Sequence, residues 1–272
     1  MGVEEVALQR PEPRTEESLP RRVVSALVPA LVVFVFVVAI WEVLVRTGMG
    51  GEFGLPAPLS VGASVVDLAR ESYFHEAVWT TALEAAYGFA LGASVGFVLG
   101  GLIGSFAIVR RTLHPFVVLF QSMPKPALAP MFVVWFGYGM TSKVMTAAAI
   151  SFFPVLINTI TGFEAVPDDM RLLMRSYRTS RWQATRKFVV PDALPAIFAG
   201  LKTAASLALV GAIVAEFIGA LKGMGSLIQS FNFALQLDLA FAVLVYLSLL
   251  GFFFYAAVEF VERRIVFWQE KD

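Results

Sequence analysis

From Val78 to Val109 the chain carries one charged side chain, Glu84. No soluble surface is built from such a stretch. It exceeds the ~20 apolar residues that carry a helix across a ~30 Å hydrocarbon core. Five further stretches have the same character: 23–45, 113–136, 144–163, 193–218 and 239–260. Hydrocarbon holds no water to satisfy backbone polar groups, so apolar runs of this length must bond within themselves as helices. Composition agrees, with 58% hydrophobic and 15% charged residues and a mean hydropathy of +0.74. An ordinary soluble domain is about 25% charged. The expected fold is an all-α integral membrane protein with six transmembrane helices over residues 23–264.

The polar segments set the topology. Residues 1–22, rich in Pro, Glu and Arg, read as a disordered cytoplasmic tail. The run 23–45 is too long for the core of a signal peptide, and no small-residue cleavage site follows it. Residues 265–272 read as a second cytoplasmic tail. Arg21, Arg22, Arg110, Arg111, Arg171, Arg175, Arg178, Arg181, Arg186, Lys187, Arg263 and Arg264 fall on one side of this arrangement. Only Arg46, Arg70, Lys143 and Lys222 fall on the other. Positive residues stay inside, so both termini and the 164–190 loop are expected in the cytoplasm. These basic residues are divided by apolar segments and form no stripe for nucleic acid. Residues 60–73 place Val61, Val65, Leu68 and Ala69 on one face, with Asp67, Arg70 and Glu71 on another. That pattern predicts an amphipathic helix lying in the membrane interface.

Two stretches carry more than span-forming information. Gly88, Gly92, Gly96, Gly100 and Gly104 recur every four residues, which makes a groove where a second helix approaches closely. The span 113–136 is interrupted by Gln121-Ser122-Met123-Pro124-Lys125-Pro126 and again by Pro130. Prolines remove backbone donors, and broken backbone at membrane depth survives only against protein or a water-filled cavity. Ionisable groups there are functional hypotheses by default. Gln121, Ser122 and Lys125, with Asn158 and Glu216, are therefore the candidate path-lining residues. Two readings stand open: Lys125 can instead snorkel to the surface, and Glu216 can cap the outer end of its helix.

The loop 164–190 is not loop-like. Pro167-Asp168-Asp169 suits a helix start, and a short basic helix over 168–176 follows. Ser180-Arg181-Trp182-Gln183 fits a capping box, predicting a second helix over 181–188 that stops before Pro191. The result is a helical elbow bent at Tyr177, Arg178 and Thr179. Attraction to anionic lipid is the competing reading of its charge; the capping signals favour an ordered docking element.

Ser180-Arg181-Trp182-Gln183, continued by Phe188-Val189-Val190-Pro191-Asp192-Ala193-Leu194-Pro195, resembles the end of the coupling loop of bacterial ABC-importer permeases. The resemblance extends to Pro124-Lys125-Pro126 through Pro130, to Trp135-Phe136-Gly137, to Phe153-Pro154 through Asn158-Thr159, and to Ala215-Glu216-Phe217-Ile218-Gly219. Together these segments are similar to the nitrate/sulfonate/taurine branch of the binding-protein-dependent permeases. The resemblance implies a homodimer in a bacterial plasma (inner) membrane. Its implied partners are a cytoplasmic ABC ATPase dimer, which would hold the ATP and Mg, and an extracytoplasmic solute-binding protein. The elbow, with Arg175, Tyr177, Arg178, Ser180, Arg181, Trp182 and Gln183, would couple to the ATPase. Leu172-Leu173-Met174 stands where the family usually has Glu-Ala-Ala, and Arg178 where it usually has glycine. A side chain at a positive-φ bend costs roughly 1 kcal/mol, so the docking role carries over but not the individual contacts.

Other chemistry is excluded or unsupported. There are no cysteines, and His75 and His114 are too few for a histidine metal cage. No G-x-x-x-x-G-K-[ST] phosphate loop occurs. The acids of the spans, Glu84, Glu216 and Glu259, read as scattered, so neither catalytic residues nor a metal site nor a cofactor of this chain is expected. An ion-coupled secondary transporter is the alternative class. That class often shows repeats with a broken helix in each half, whereas this sequence has one strongly broken segment.

Overall fold

The computed structural model describes residues 19–48, 54–167, 169, 176–177 and 179–268. Its helices divide into two compact units, with the break between Leu59 and Ser60. In the first unit, α1 (Leu19–Arg46) is a 28-residue helix over the first apolar stretch. Glu42 closes the turn beyond it, accepting from Arg46 Nε at 2.5 Å and from the Leu59 backbone N–H at 3.2 Å.

α2 (Pro58–Leu68) contains the break, and after it come α3 (Ser72–Ser105), α4 (Ala107–Ser122), α5 (Ala129–Phe136) and α6 (Met140–Glu164). After these follow α7 (Arg181–Ala184), α8 (Val190–Glu216), α9 (Met224–Phe233) and α10 (Leu237–Ile265). Among the described residues, four helical runs are long and apolar enough to cross a membrane alone: Ser72–Ser105, Met140–Glu164, Trp182–Glu216 and Leu237–Ile265. Ile108–Ser122 and Lys125–Phe136 pass the same test only as a pair, bent by 84°, which is the form of a broken span or of a re-entrant loop.

The core is a trio, α3 against α6 against α8, with α10 packed on α8 and touching α3 through Tyr246 and Phe74. The glycine register of α3 faces α6. A methyl group on Gly96 would stand 2.7 Å from the Phe152 carbonyl oxygen, and one on Gly100 or Gly104 2.7 Å from the Cβ of Thr159 or Phe163. On α6 the facing positions are small or branched: Ala147, Ser151, Val155 and Thr159 are all buried. Gly200 and Gly211 bring α8 equally close to α6, at Asn158 and Ala147. In hydrocarbon, where apolar burial drives little association, this backbone proximity supplies the packing.

Several expected boundaries differ. The span 78–109 does not run through to the Arg110-Arg111 pair. It breaks at Phe106, whose backbone is extended (φ −119°, ψ 108°), and both arginines lie inside α4. The 60–73 helix stops at Leu68, and Ala69 is exposed. It is pinned onto α10, with Ser64 Oγ donating to Asp238 at 2.9 Å and Tyr246 OH donating to the Val65 carbonyl at 2.8 Å. The helix over 181–188 does not stop before Pro191. A π-turn over Thr185–Val189 joins α7 to α8. Pro191 falls in the first turn of α8, and the wider π-turn before it absorbs the missing N–H and the ring bulk that an unbroken α-helix could not.

The α9–α10 corner holds the one non-glycine with positive φ among the described residues, Leu235 at 58°. Gln236 N–H donates to Phe231 O at 2.8 Å and Leu235 N–H to Asn232 O at 3.1 Å, a Schellman stop whose left-handed position usually belongs to glycine. Leu235 is 83% exposed and returns no packing for its strain. Leu235→Gly should therefore raise stability by about 0.5–1 kcal/mol, strain relief outweighing the added chain entropy. The midpoint of thermal unfolding in detergent micelles measures it.

Candidate functional site

The broken helix pair positions the first candidate site. α4 ends at Ser122, Met123 and Pro124 are extended, and Lys125–Leu128 form a single 3₁₀ turn before α5. The chain thus turns sharply at the expected Pro-Lys-Pro. Beneath the turn lies a cavity of about 580 Å³. Gln121, Met123 and the Pro124-Lys125-Pro126 turn form one wall; Ile150, Phe153, Pro154, Ile157 and Asn158 of α6, with Leu207 and Val210 of α8, form the others. Lys125 Nζ donates to the Gln121 carbonyl at 2.8 Å and stands 4.8 Å from the centre of the Phe153 ring. Asn158 donates to the Pro154 carbonyl at 2.8 Å. Of the five candidate path residues, Gln121, Lys125 and Asn158 share this cavity. Ser122 does not line it, and its hydroxyl bonds back to Val118 O at 3.1 Å.

Glu216 is elsewhere, in an ionic cluster that sequence reading missed. Lys143, placed by sequence among the outer-side charges, is buried and donates to Glu84 Oε1 at 2.8 Å. Glu216, fully buried at the end of α8, accepts from Thr81 Oγ1 at 2.7 Å and from the Gly225 N–H at 2.5 Å. Thr81 in turn accepts from the Met224 N–H at 2.8 Å. Glu84 and Glu216 thus reach the same cluster, Glu84 one helical turn beyond the Thr81 that donates to Glu216. Of the three acids expected to be scattered, Glu84 and Glu216 share this cluster, while Glu259 pairs with Arg263 of its own helix. Gly223, at φ 114°, is required here, because any Cβ would collide with the Glu216 carboxyl. This cluster ties α3, α6 and α8 to the N-terminus of α9, where two otherwise orphaned backbone N–H groups find acceptors. The one local signal for it was Thr81 and Glu84 three residues apart on a single helix face.

The coupling candidates fall at the other end of α8. Ser180 and Gln183 exchange the two bonds of a capping box, Ser180 N–H to Gln183 Oε1 at 3.2 Å and Gln183 N–H to Ser180 Oγ at 3.3 Å. Tyr177 is 75% exposed and Trp182 71% exposed. Arg181 opens α7. Arg175 and Arg178, with most of the 168–176 arm, lie outside the described residues. Among the described residues no group of three or more His, Cys, Asp or Glu could hold a metal ion.

The family model described as "Binding-protein-dependent transport system inner membrane component" matches residues 92–267. The chain is 32% identical over 252 residues to the formylaminopyrimidine transport permease protein ThiX of Halalkalibacterium halodurans, covering 93% of this chain and all of that protein. It is 28% identical to the putative aliphatic sulfonates transport permease protein SsuC of Bacillus subtilis, covering 89% and 86%. Among solved structures, an inward-facing MetNI methionine ABC transporter shares the fold. Its TM-score is 0.62 at 19% identity, over 70% of this chain and 94% of that one.

Proposed function

The chain belongs to the family of binding-protein-dependent transport system inner membrane components, and we propose that it forms the translocation path of an ATP-driven importer for a small polar or anionic solute. In this reading α1 is the first of six spans, both termini are cytoplasmic, and two copies face each other in a bacterial inner membrane. A separate ABC ATPase dimer holds the ATP and Mg. A solute-binding protein delivers the cargo from outside, and the relatives' cargoes suggest a formylaminopyrimidine-like heterocycle or a sulfonate.

The observation that carries the reading is the continuous helical run Trp182–Glu216, 35 residues long. At ~1.5 Å per residue it reaches roughly 50 Å. Its cytoplasmic end displays the exposed aromatic side chain of Trp182 on a self-capped turn. Its other end is fastened through Glu216 to α3 and α9. A push on the elbow by a closing ATPase is then transmitted along one stiff element, past the Leu207 and Val210 wall of the cavity. The remaining elbow residues, Arg175, Tyr177, Arg178, Ser180, Arg181 and Gln183, would complete the seat in the ATPase.

Trp182→Ala should cost about 2 kcal/mol of docking energy, roughly thirtyfold in affinity, as aromatic anchors at interfaces do. Co-purification of the ATPase checks it, together with ATP-dependent uptake in vesicles. Undiminished assembly by a correctly folded variant would remove the elbow from the coupling role.

A further inference from the structure

Of the five described lysines Lys143, Lys202 and Lys222 each hold a carboxylate, Glu84, Glu262 and Glu76 respectively, and Lys187 is exposed on the π-turn. Lys125 holds a backbone carbonyl and an aromatic face instead. An ammonium group has three N–H donors, and the recorded hydrogen bond uses one. No Asp or Glu lines its cavity, so the space carries one formal positive charge. The turn that holds Lys125 is bounded by Pro124 and Pro126, whose fixed φ angles restrict where the side chain can start. The rest of the wall is apolar, with Phe153, Ile157 and Leu207 beside the polar groups. The volume of about 580 Å³ lies within the roughly 300–1,000 Å³ typical of small-molecule sites. A cation without a carboxylate partner, set in an apolar space of that size, is the complement of an amphipathic anion.

We propose that this cavity is a selective site of the permease itself for a small organic monoanion, its charged head on Lys125 and its apolar body along Phe153, Ile157 and Leu207. The site rests on the permease reading above and deepens it: besides the binding protein outside, the path would contain its own charge filter. Lys125 attracts the head, the Phe153 ring holds the ammonium in place from behind, and cationic solutes of the same shape are repelled. Asn158, whose NH₂ spends one of its two N–H donors on Pro154 O, keeps a second donor beside the head group.

The test uses the full chain purified with its ATPase in detergent, and three probes of one shape: benzenesulfonate, benzyl alcohol and benzylammonium. Saturation-transfer NMR and titration should show benzenesulfonate bound at least ~10-fold more tightly than benzyl alcohol, with benzylammonium unbound; a tenfold ratio is the smallest clear discrimination by charge. Lys125→Met should erase the preference and Lys125→Arg should keep it. Equal binding of the anion and the alcohol by the unaltered protein overturns the proposal, as does an anion preference that survives in Lys125→Met. The unaltered protein's three-probe comparison decides the matter even if Lys125→Met does not fold. If the ATPase co-purifies while the anion preference is missing, the charge filter falls and the permease reading stands. If no ATPase co-purifies with the unaltered chain, both fall together.

Discussion

Lys143→Met should lower the stability of the folded bundle by about 3–5 kcal/mol, the usual cost of removing one partner from a buried ion pair. The exchange keeps the length and volume of the side chain, so the loss reads charge and hydrogen bonding more than packing. Glu84 is almost fully buried and Lys143 is its ionic partner. Its second oxygen, Oε2, has no protein donor, and Glu216 is buried in the same cluster through Thr81. Without Lys143 two acidic groups would share a buried space with no ammonium between them. The midpoint of thermal unfolding in detergent should fall by roughly 10 °C, on the scaling of a few degrees per kcal/mol for domains of this size. Adding Glu84→Gln to Lys143→Met should recover more than half of the loss, since the interaction energy of a contacting pair is not additive. An unchanged midpoint for Lys143→Met would mean that the cluster contributes nothing to holding α3, α6 and α9 together.

The second large effect separates two adjacent glycines of α3. Gly100→Ala places a methyl group 2.7 Å from Thr159 Cβ and 2.8 Å from the Leu156 carbonyl oxygen. One of these contacts is backbone and cannot swing away, so α3 and α6 must separate. The expected cost is about 1–3 kcal/mol, as for other overpacked interiors. Gly101→Ala meets only the edge of the Phe163 ring, at 3.6 Å, an ordinary contact. It should be neutral or gain up to about 1 kcal/mol from helix propensity. The paired midpoints in detergent, with the yield of folded protein, decide the matter. Equal behaviour of the two variants would place the close helix contact elsewhere.

Much of this molecule follows from local rules. The helical character of the apolar stretches comes from the cost of unsatisfied backbone in hydrocarbon, which acts on each segment alone. The break at Pro124-Lys125-Pro126 comes from prolines that no neighbouring helix can repair. The Ser180–Gln183 capping box needs three residues of separation and nothing else. The glycine period of α3 marked a close-packing face, although only the folded chain shows α6 as the helix it meets. For the site, the same local reasoning led to Gln121, Lys125 and Asn158. It could not see that the Asn158 amide bonds back to Pro154 or that Ser122 bonds its own helix.

What the sequence by itself determined is which segments become apolar helices and where the broken helix pair turns. Its succession of motifs also marked the kinship with binding-protein-dependent permeases. Tertiary structure decided the rest. It brought Glu84 to Lys143 across 59 residues and Glu216 to Thr81 across 135. It carried the helix through Pro191 by widening one turn, and left Lys125 as the lysine above a cavity with no carboxylate to hold. The physical reason is range. Backbone hydrogen bonding, proline geometry and hydrophobic period act over a few residues and are written in spacing. Ion pairing between helices depends on which faces meet, and that is settled only when the glycine grooves close.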